Sequence, residues 1–244
     1  MSVALGLIAA LPREARSLGV EKPPPMCPLV LPGLGEWVVA GMGLERARRA
    51  ARLLADRGAR QLVSWGLAGG LRPGLASGQL LCPAGVMDSE GRHYPVTAEL
   101  QARCLERVCP GAVTTDLISW HEVLVEPEQK QALYQQTGAQ IIDMESAAIA
   151  QVARDRNLEF VVLRTLFDPV EQILPASVLA NTDAWGAVRL GGLTAALLRR
   201  PSDLLLLPGL VRQTRRSGQS LKTMAGALPA LSQENNANKK RSRL

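Results

Sequence analysis

The chain has 244 residues, 47% of them hydrophobic but only 3% aromatic, and a formal net charge of +6. That length suits one large α/β domain, whose core must be built from Leu, Val, Ala and Ile, the residues that fill parallel sheets and their covering helices. Ten of the 28 Lys/Arg but two of the 22 Asp/Glu lie in residues 199–244, so the positive excess is a C-terminal feature, which argues against a nucleic-acid partner; four cysteines without C-x-x-C spacing and two histidines argue against a metal.

In chain order, Val3 to Ala10 reads as a buried first strand. No Lys or Arg precedes it and Pro12-Arg13-Glu14 follows at once, so it reads as a strand of a cytoplasmic protein and not as a signal peptide. Pro12 favours the first turn of a helix, where Glu14 suits the helix dipole. Glu36 to Ala40 is a second strand ending in Gly41-Met42-Gly43, and Leu44 to Gly58 is an amphipathic helix burying Ala47, Ala50, Ala51 and Leu54. Gln61 to Trp65 is a strand that feeds the glycine-rich stretch Gly66-Leu67-Ala68-Gly69-Gly70, where backbone can approach a ligand. It lacks the G-x-G-x-x-G spacing of a dinucleotide site.

Two short strands, Gln79 to Pro83 and Val113 to Ser119, flank a loop at Glu90–Tyr94 and a helix from Thr97 to Val108. A helix from Glu126 to Thr137 follows. The stretch from Gln140 to Pro169 organises the rest: one apolar run ends in Asp143-Met144-Glu145, small residues suited to close helix packing come next, and a second apolar run ends at Asp168. Phe160 to Leu166, apolar except for Arg164 and Thr165, has the character of a central strand of a covered parallel sheet. Such sheets bind ligands at the carboxyl ends of their strands, so Glu145 and Asp168 are expected to face one pocket.

Met144-Glu145-Ser146-Ala147-Ala148 resembles the Met-Glu-Gly/Ala-x-Ala signature of the purine nucleoside phosphorylase and nucleosidase superfamily, and Arg164-Thr165-Leu166-Phe167-Asp168 resembles its Arg-x-x-Ser-Asp strand end. Trp65 to Leu71 with Gly78-Gln79-Leu80-Leu81 is similar to its Gly-Ser-Ala-Gly-Gly-Leu…Gly-Asp-Val-Val element, in the same order and at matching spacing. The resemblance covers roughly residues 3 to 200. It implies a single three-layer α/β domain over residues 1–200, with a central twisted, mixed but largely parallel β-sheet flanked by helices.

The resemblance also implies roles. Asp168 is the acid that protonates the departing base, and Glu14 matches the glutamate that activates water. Glu145 accepts the ribose hydroxyls with Met144 against the sugar, and Trp120, Val123 or Phe167 lines the base. Arg13, Gly43, Gly66, Leu67 and Ala68 border the nucleophile side. No cofactor is implied, but inorganic phosphate is left open as a co-substrate: phosphorylases commonly have Ser where Leu67 stands and Arg where Ser64 stands, and Arg13 is the remaining cation there. His121 reads as a polar loop residue.

Glu171-Gln172-Ile173-Leu174-Pro175 and Leu197-Leu198-Arg199-Arg200-Pro201 resemble the hopanoid-associated branch, whose substrate class is adenosylhopane, an adenine nucleoside carried on a pentacyclic lipid. Cleavage would release adenine and leave ribosyl- or phosphoribosyl-hopane. The alternatives are a soluble methylthioadenosine/adenosylhomocysteine nucleosidase and a nucleoside-binding protein without turnover. A homo-oligomer is implied by the family.

In residues 201–231, Leu207, Leu210, Val211, Thr214, Leu221, Met224, Ala225 and Leu228 recur at helical spacing beside Arg212, Arg215, Arg216 and Lys222. This is the pattern of an interfacial helix, and it predicts peripheral contact with the inner membrane surface; a helix packed on the domain is the plainer reading, since Pro208, Gly209 and Gly218 weaken the helix. Residues 232–244 read as a basic disordered tail.

Overall fold

A computed structural model describes residues 5–232. The start of the first expected strand and nearly all of the C-terminal tail lie outside the described residues. The described residues form ten strands: β1 (Leu5–Ala9), β2 (Leu29–Leu31), β3 (Gly35–Val39), β4 (Gln61–Gly70), β5 (Leu80–Leu81), β6 (Gly85–Met87), β7 (His93–Pro95), β8 (Asp116–Ser119), β9 (Ile141–Asp143) and β10 (Glu159–Asp168). The helices are α1 (Pro12–Ala15), α2 (Leu44–Asp56), α3 (Ala98–Arg107), α4 (Pro127–Thr137), α5 (Ser146–Asp155), α6 (Ala176–Ala180), α7 (Leu190–Arg199) and α8 (Asp203–Ala227).

The strands form one mixed sheet in the order β2-β3-β1-β4-β9-β8-β6-β7, with β10 also paired to β4 and to β5. β3, β1, β4 and β10 run parallel to one another, as do β9, β8 and β6, the two groups meet where the tail of β4 pairs antiparallel with β9, and β2, β5 and β7 are antiparallel additions. This is the expected mixed, largely parallel architecture.

Strand alternation builds the layers. Ile8, Val38, Leu62 and Val162 face α2 and α5, whose alanines Ala47, Ala50, Ala51, Ala147 and Ala150 let the two helices approach closely. Their sequence neighbours Leu7, Trp37, Val63, Val161 and Leu163 face the opposite layer, which holds Leu100 and Cys104 of α3 and Leu221 and Met224 of α8. Period-two alternation puts consecutive residues on opposite faces, so strands apolar on both faces require helices on both.

Three expectations change. The strand expected over Gln61 to Trp65 is longer: β4 continues through the glycine-rich stretch to Gly70, because Gly69 and Gly70 pair with Ile142 and Ile141 of β9. The expected loop at Glu90–Tyr94 includes part of a hairpin in which β6 pairs with β7. The apolar stripe of α8 is divided: Leu221, Met224 and Leu228 are buried on the domain, whereas Val211 and Thr214 are exposed. No helix among the described residues is long and apolar enough to cross a membrane.

Candidate active site

The ends of β1, β3, β4, β9 and β10 bring most of the predicted residues together. Glu14, in α1 just past β1, is 3% exposed and turns its carboxylate back into the fold. Oε2 accepts from the N–H groups of Ala10 and Leu11, each at 2.9 Å, and Oε1 from the N–H of Leu67 at 3.0 Å. Gly66 is required here: its φ is +151° and an added Cβ would lie 2.4 Å from Glu14 Oε1 and 2.5 Å from a terminal nitrogen of Arg164. The backbone of β4 is thus pressed against both charges.

Arg164, on β10, is 1% exposed and is held by a polar cluster at the base of the site. Its Nη2 donates to Asp143 Oδ2 at 2.5 Å, Ser64 Oγ at 2.8 Å and Ser146 Oγ at 3.1 Å. Asp143 is further fixed by the Ser119 hydroxyl at 2.6 Å. Burial opposes the Arg164 charge, but Asp143, Glu14 and Glu145 outweigh it and hold the guanidinium charged. Ser64, where phosphorylases carry a phosphate-binding arginine, is within hydrogen-bonding distance of Ser146 and Arg164.

Glu145 follows β9 and is 6% exposed. Its Oε1 accepts the N–H of Gly43 at 2.9 Å, and its Oε2 accepts the N–H of Met144 at 3.2 Å. Gly43, at φ +102°, begins α2 and directs that N–H to a carboxylate distant in sequence. Burial, then the neighbouring Asp143, pushes the Glu145 carboxyl up to about 7 against the pull of Arg164 and Gly43.

A carboxyl whose folded value is raised gives stability that is fully present below its unfolded range and is lost as pH rises through the folded value. For Glu145 that window runs from 4.5 to about 7, and the expected loss is on the order of 3 kcal/mol. Melting temperature followed across that window should fall in the wild type and be flatter in Glu145→Gln. Equal slopes in both proteins would remove Glu145 as the titrating group.

Asp168 ends β10 and is 7% exposed. Burial pushes its carboxyl above the ordinary range, with Lys130 and Arg13 pulling the other way. Lys130 of α4, 1% exposed, donates to Asp168 Oδ2 at 2.6 Å. Across β4, an added Cβ on Gly69 would stand 3.2 Å from Asp168 Oδ1. Gly66 and Gly69 are three residues apart, about 10 Å along β4.

The remaining predicted residues are less closely gathered. Arg13 is exposed, and its guanidinium lies over the Phe167 ring at 4.9 Å from the centroid. A base stacking on that face of Phe167 would have to displace it. Trp120 is half-buried with its ring tilted against His121, and its backbone N–H donates to the Asp143 carbonyl at 2.8 Å. Val123 is 43% exposed; Met144 is half-buried and Ala68 buried. A cavity of about 480 Å³ lies beyond Pro169, bordered by Ser77, Gln172, Arg212 and Arg216, and none of the predicted site residues lines it. Proximity of carboxylates, and not this cavity, marks the candidate site.

Sequence reasoning missed Lys130, Asp143, Ser119 and Ser146 as parts of the site. Lys130 had a signal, since it stands one helical turn before buried Leu133 on α4. Among the described residues no group of three or more His, Cys, Asp or Glu could hold a metal ion.

Residues 33–200 match the Phosphorylase superfamily. No curated protein matches the chain. Among solved structures, the 5'-methylthioadenosine/S-adenosylhomocysteine nucleosidase of Neisseria meningitidis, in complex with methylthio-immucillin-A, is similar with a TM-score of 0.67 at 16% identity, covering 93% of this chain and 99% of that one. The futalosine hydrolase of Helicobacter pylori strain 26695 gives 0.62 at 16% identity over 92% and 98%. The methylthioadenosine/adenosylhomocysteine nucleosidase of Colwellia psychrerythraea 34H, in complex with adenine, gives 0.61 at 20% identity over 93% and 96%. At these identities the likeness is one of fold.

Proposed function

Because the chain belongs to the phosphorylase superfamily and is an enzyme of N-glycosidic bond cleavage, we propose that it releases adenine from a nucleoside with Asp168 as acid, Glu145 as ribose acceptor and Glu14 as the base that activates water. The observation that carries the reading is that three buried carboxylates stand at neighbouring strand ends, Glu14 and Asp168 against β4 and Glu145 against the Gly43 turn. Breaking the bond from C1' to N9 leaves positive charge on the ribose and sends the electron pair to the base. Asp168 supplies a proton to the base, water adds to C1', and Glu14 takes the proton that water loses. Glu145 accepts the vicinal hydroxyls of the ribose.

Water is favoured over phosphate by the state of the nucleophile side. Ser64 sits among Ser146 and Arg164, Leu67 offers no hydroxyl, and Arg13 stands exposed over Phe167. The solved structures of similar fold named above are a hydrolase and nucleosidases, which agrees with attack by water.

The proposed substrate is adenosylhopane, with ribosylhopane as product; the motifs around Glu171 and Leu197 support it. The second reading, a methylthioadenosine/adenosylhomocysteine nucleosidase, is favoured by the activities of the proteins of similar structure. Purified protein incubated with adenosylhopane and with methylthioadenosine, with and without phosphate, separates them by mass spectrometry of the products. Adenine from neither nucleoside would overturn the reading and favour a binding protein without turnover.

A lipid-linked substrate fits a membrane-facing surface, and the one supported differs from the α8 stripe. α7 has no buried residue, and Leu190, Leu198 and Leu205 are 74%, 85% and 83% exposed beside exposed Arg189, Arg199 and Arg200. Basic residues at an anionic surface contribute about 1 kcal/mol each and are screened by salt. Truncation at Arg200 is a poor test because it would remove Leu221 and Met224 from the core. Leu198→Glu with Leu205→Glu is expected to reduce co-sedimentation with anionic liposomes at low salt. Equal binding by variant and wild type, or none by either, would refute this surface.

A further inference from the structure

The lysine that grips Asp168 has no part in the reading so far. Lys130 reaches from α4 into the end of β10, where its ammonium has three acceptors: Asp168 Oδ2 at 2.6 Å, the Gln172 carbonyl at 3.1 Å and the Pro169 carbonyl at 3.4 Å. An ammonium has three hydrogens, so this buried group is fully satisfied by the segment that holds the candidate acid. The arrangement joins two functions in one side chain. The carbonyl contacts fix the chain just after β10, and the contact with Oδ2 fixes the carboxyl rotamer, with Oδ1 over Gly69.

Resting on the assignment of Asp168 as the acid, we propose that Lys130 is a positioning residue for base protonation, which orients the Asp168 carboxyl and sets the pH range over which it can carry the proton. The pull it exerts has a definite sign. An ammonium at this distance stabilises the carboxylate form, whereas burial stabilises the neutral acid. The charged groups acting on Asp168 are Lys130 from α4 and Arg13 from α1. Lys130 donates directly to the carboxylate, whereas the Arg13 guanidinium lies over the Phe167 ring, so Lys130 is the stronger local control. Lys130 therefore lowers the pH at which Asp168 releases its proton and fixes the alkaline limit of an acid-dependent reaction.

The test uses the full chain and two readouts. One is the pH profile of kcat/KM for adenine release from methylthioadenosine and adenosine. The other is a carbon-13 NMR titration of labelled Asp carboxyls, with Asp168→Asn identifying the resonance. Lys130→Met is expected to move the alkaline limb and the Asp168 midpoint upward together, by about one pH unit or more. Lys130→Arg, which keeps the charge, should restore both toward the wild-type position. If Lys130→Met does not fold, Lys130→Gln supplies the comparison, since it retains a donor for the carbonyls without the charge. An unmoved midpoint in the folded uncharged variant would overturn the proposal even if kcat fell, because that is the result of a purely structural lysine. A moved midpoint with an unmoved limb would also overturn it. If the wild type releases no base from either nucleoside but does so from adenosylhopane, the limb is read with that substrate. If it releases none from any of the three, adenine-nucleoside cleavage fails, and the proposal about protonation fails with it; the NMR midpoint then reports only the ion pair.

Discussion

Asp168→Asn is expected to lower adenine release by between about 10² and 10⁴-fold, the usual contribution of a general acid, while ligand affinity stays within about tenfold, ~1.4 kcal/mol. The amide keeps an oxygen for a hydrogen bond but has no acidic proton for the leaving base. The ion pair with Lys130 adds a second consequence. Removing one charge of a buried pair leaves the other uncompensated, which costs about 3–5 kcal/mol, and Lys130 is 1% exposed. The single variant should therefore melt lower as well as react slowly. Asp168→Asn combined with Lys130→Met removes both charges and should recover part of that stability without recovering activity, because coupled groups are not additive. Rates are measured below the melting transition of each variant. Near-normal turnover by folded Asp168→Asn would remove Asp168 from the acid role.

The parts of this fold that were legible in the sequence share a physical reason. Phe160 to Leu166 and Gln61 to Trp65 are apolar on both faces, and alternate residues of each strand pack on opposite helix layers; the pattern and the packing are one fact. Arg164 was visible as the polar interruption in such a run, and a guanidinium on a buried strand requires acidic partners. Asp143 and Glu14 supply charge of the opposite sign. The sequence alone could not say which carboxylates these were, because the partners come from separate elements.

The glycine-rich stretch was legible as a place of close approach, but the length of its strand was not, because glycine also marks strand ends. Gly66 is a case of close approach, with Glu14 and Arg164 occupying the space of a side chain, and β4 remains a strand through it. The α8 stripe left two readings open, since periodicity identifies an apolar face without identifying what covers it. Leu221 and Met224 are covered by the domain. α7 shows the reverse, an apolar segment with no buried residue, and helical spacing does not distinguish the two. Lys130 was hidden because one lysine in a polar helix is ordinary until its partner on β10 is placed beside it.

Glu14→Gln should be the other change of large effect, and its two components can be separated. The carboxylate accepts three N–H groups, from Ala10, Leu11 and Leu67. A glutamine has one oxygen to offer, so its NH₂ must face at least one of these donors. Leaving a buried donor unsatisfied costs about 1–3 kcal/mol, and the melting temperature is expected to fall accordingly. The chemical component is the loss of the group that takes the proton from water, worth about 10² to 10⁴-fold in adenine release. Glu14→Asp provides the contrast, since it keeps a base but shortens its reach, and should retain more activity than the amide at comparable stability. The nucleophile is then decided by adding phosphate. If water is the attacking group, saturating phosphate leaves Glu14→Gln inactive, because phosphate does not supply the missing base and Ser64 lies within the buried polar cluster. Full activity of Glu14→Gln in phosphate, with a phosphorylated sugar among the products, would show instead that Arg13 recruits the anion and that the reaction is phosphorolysis.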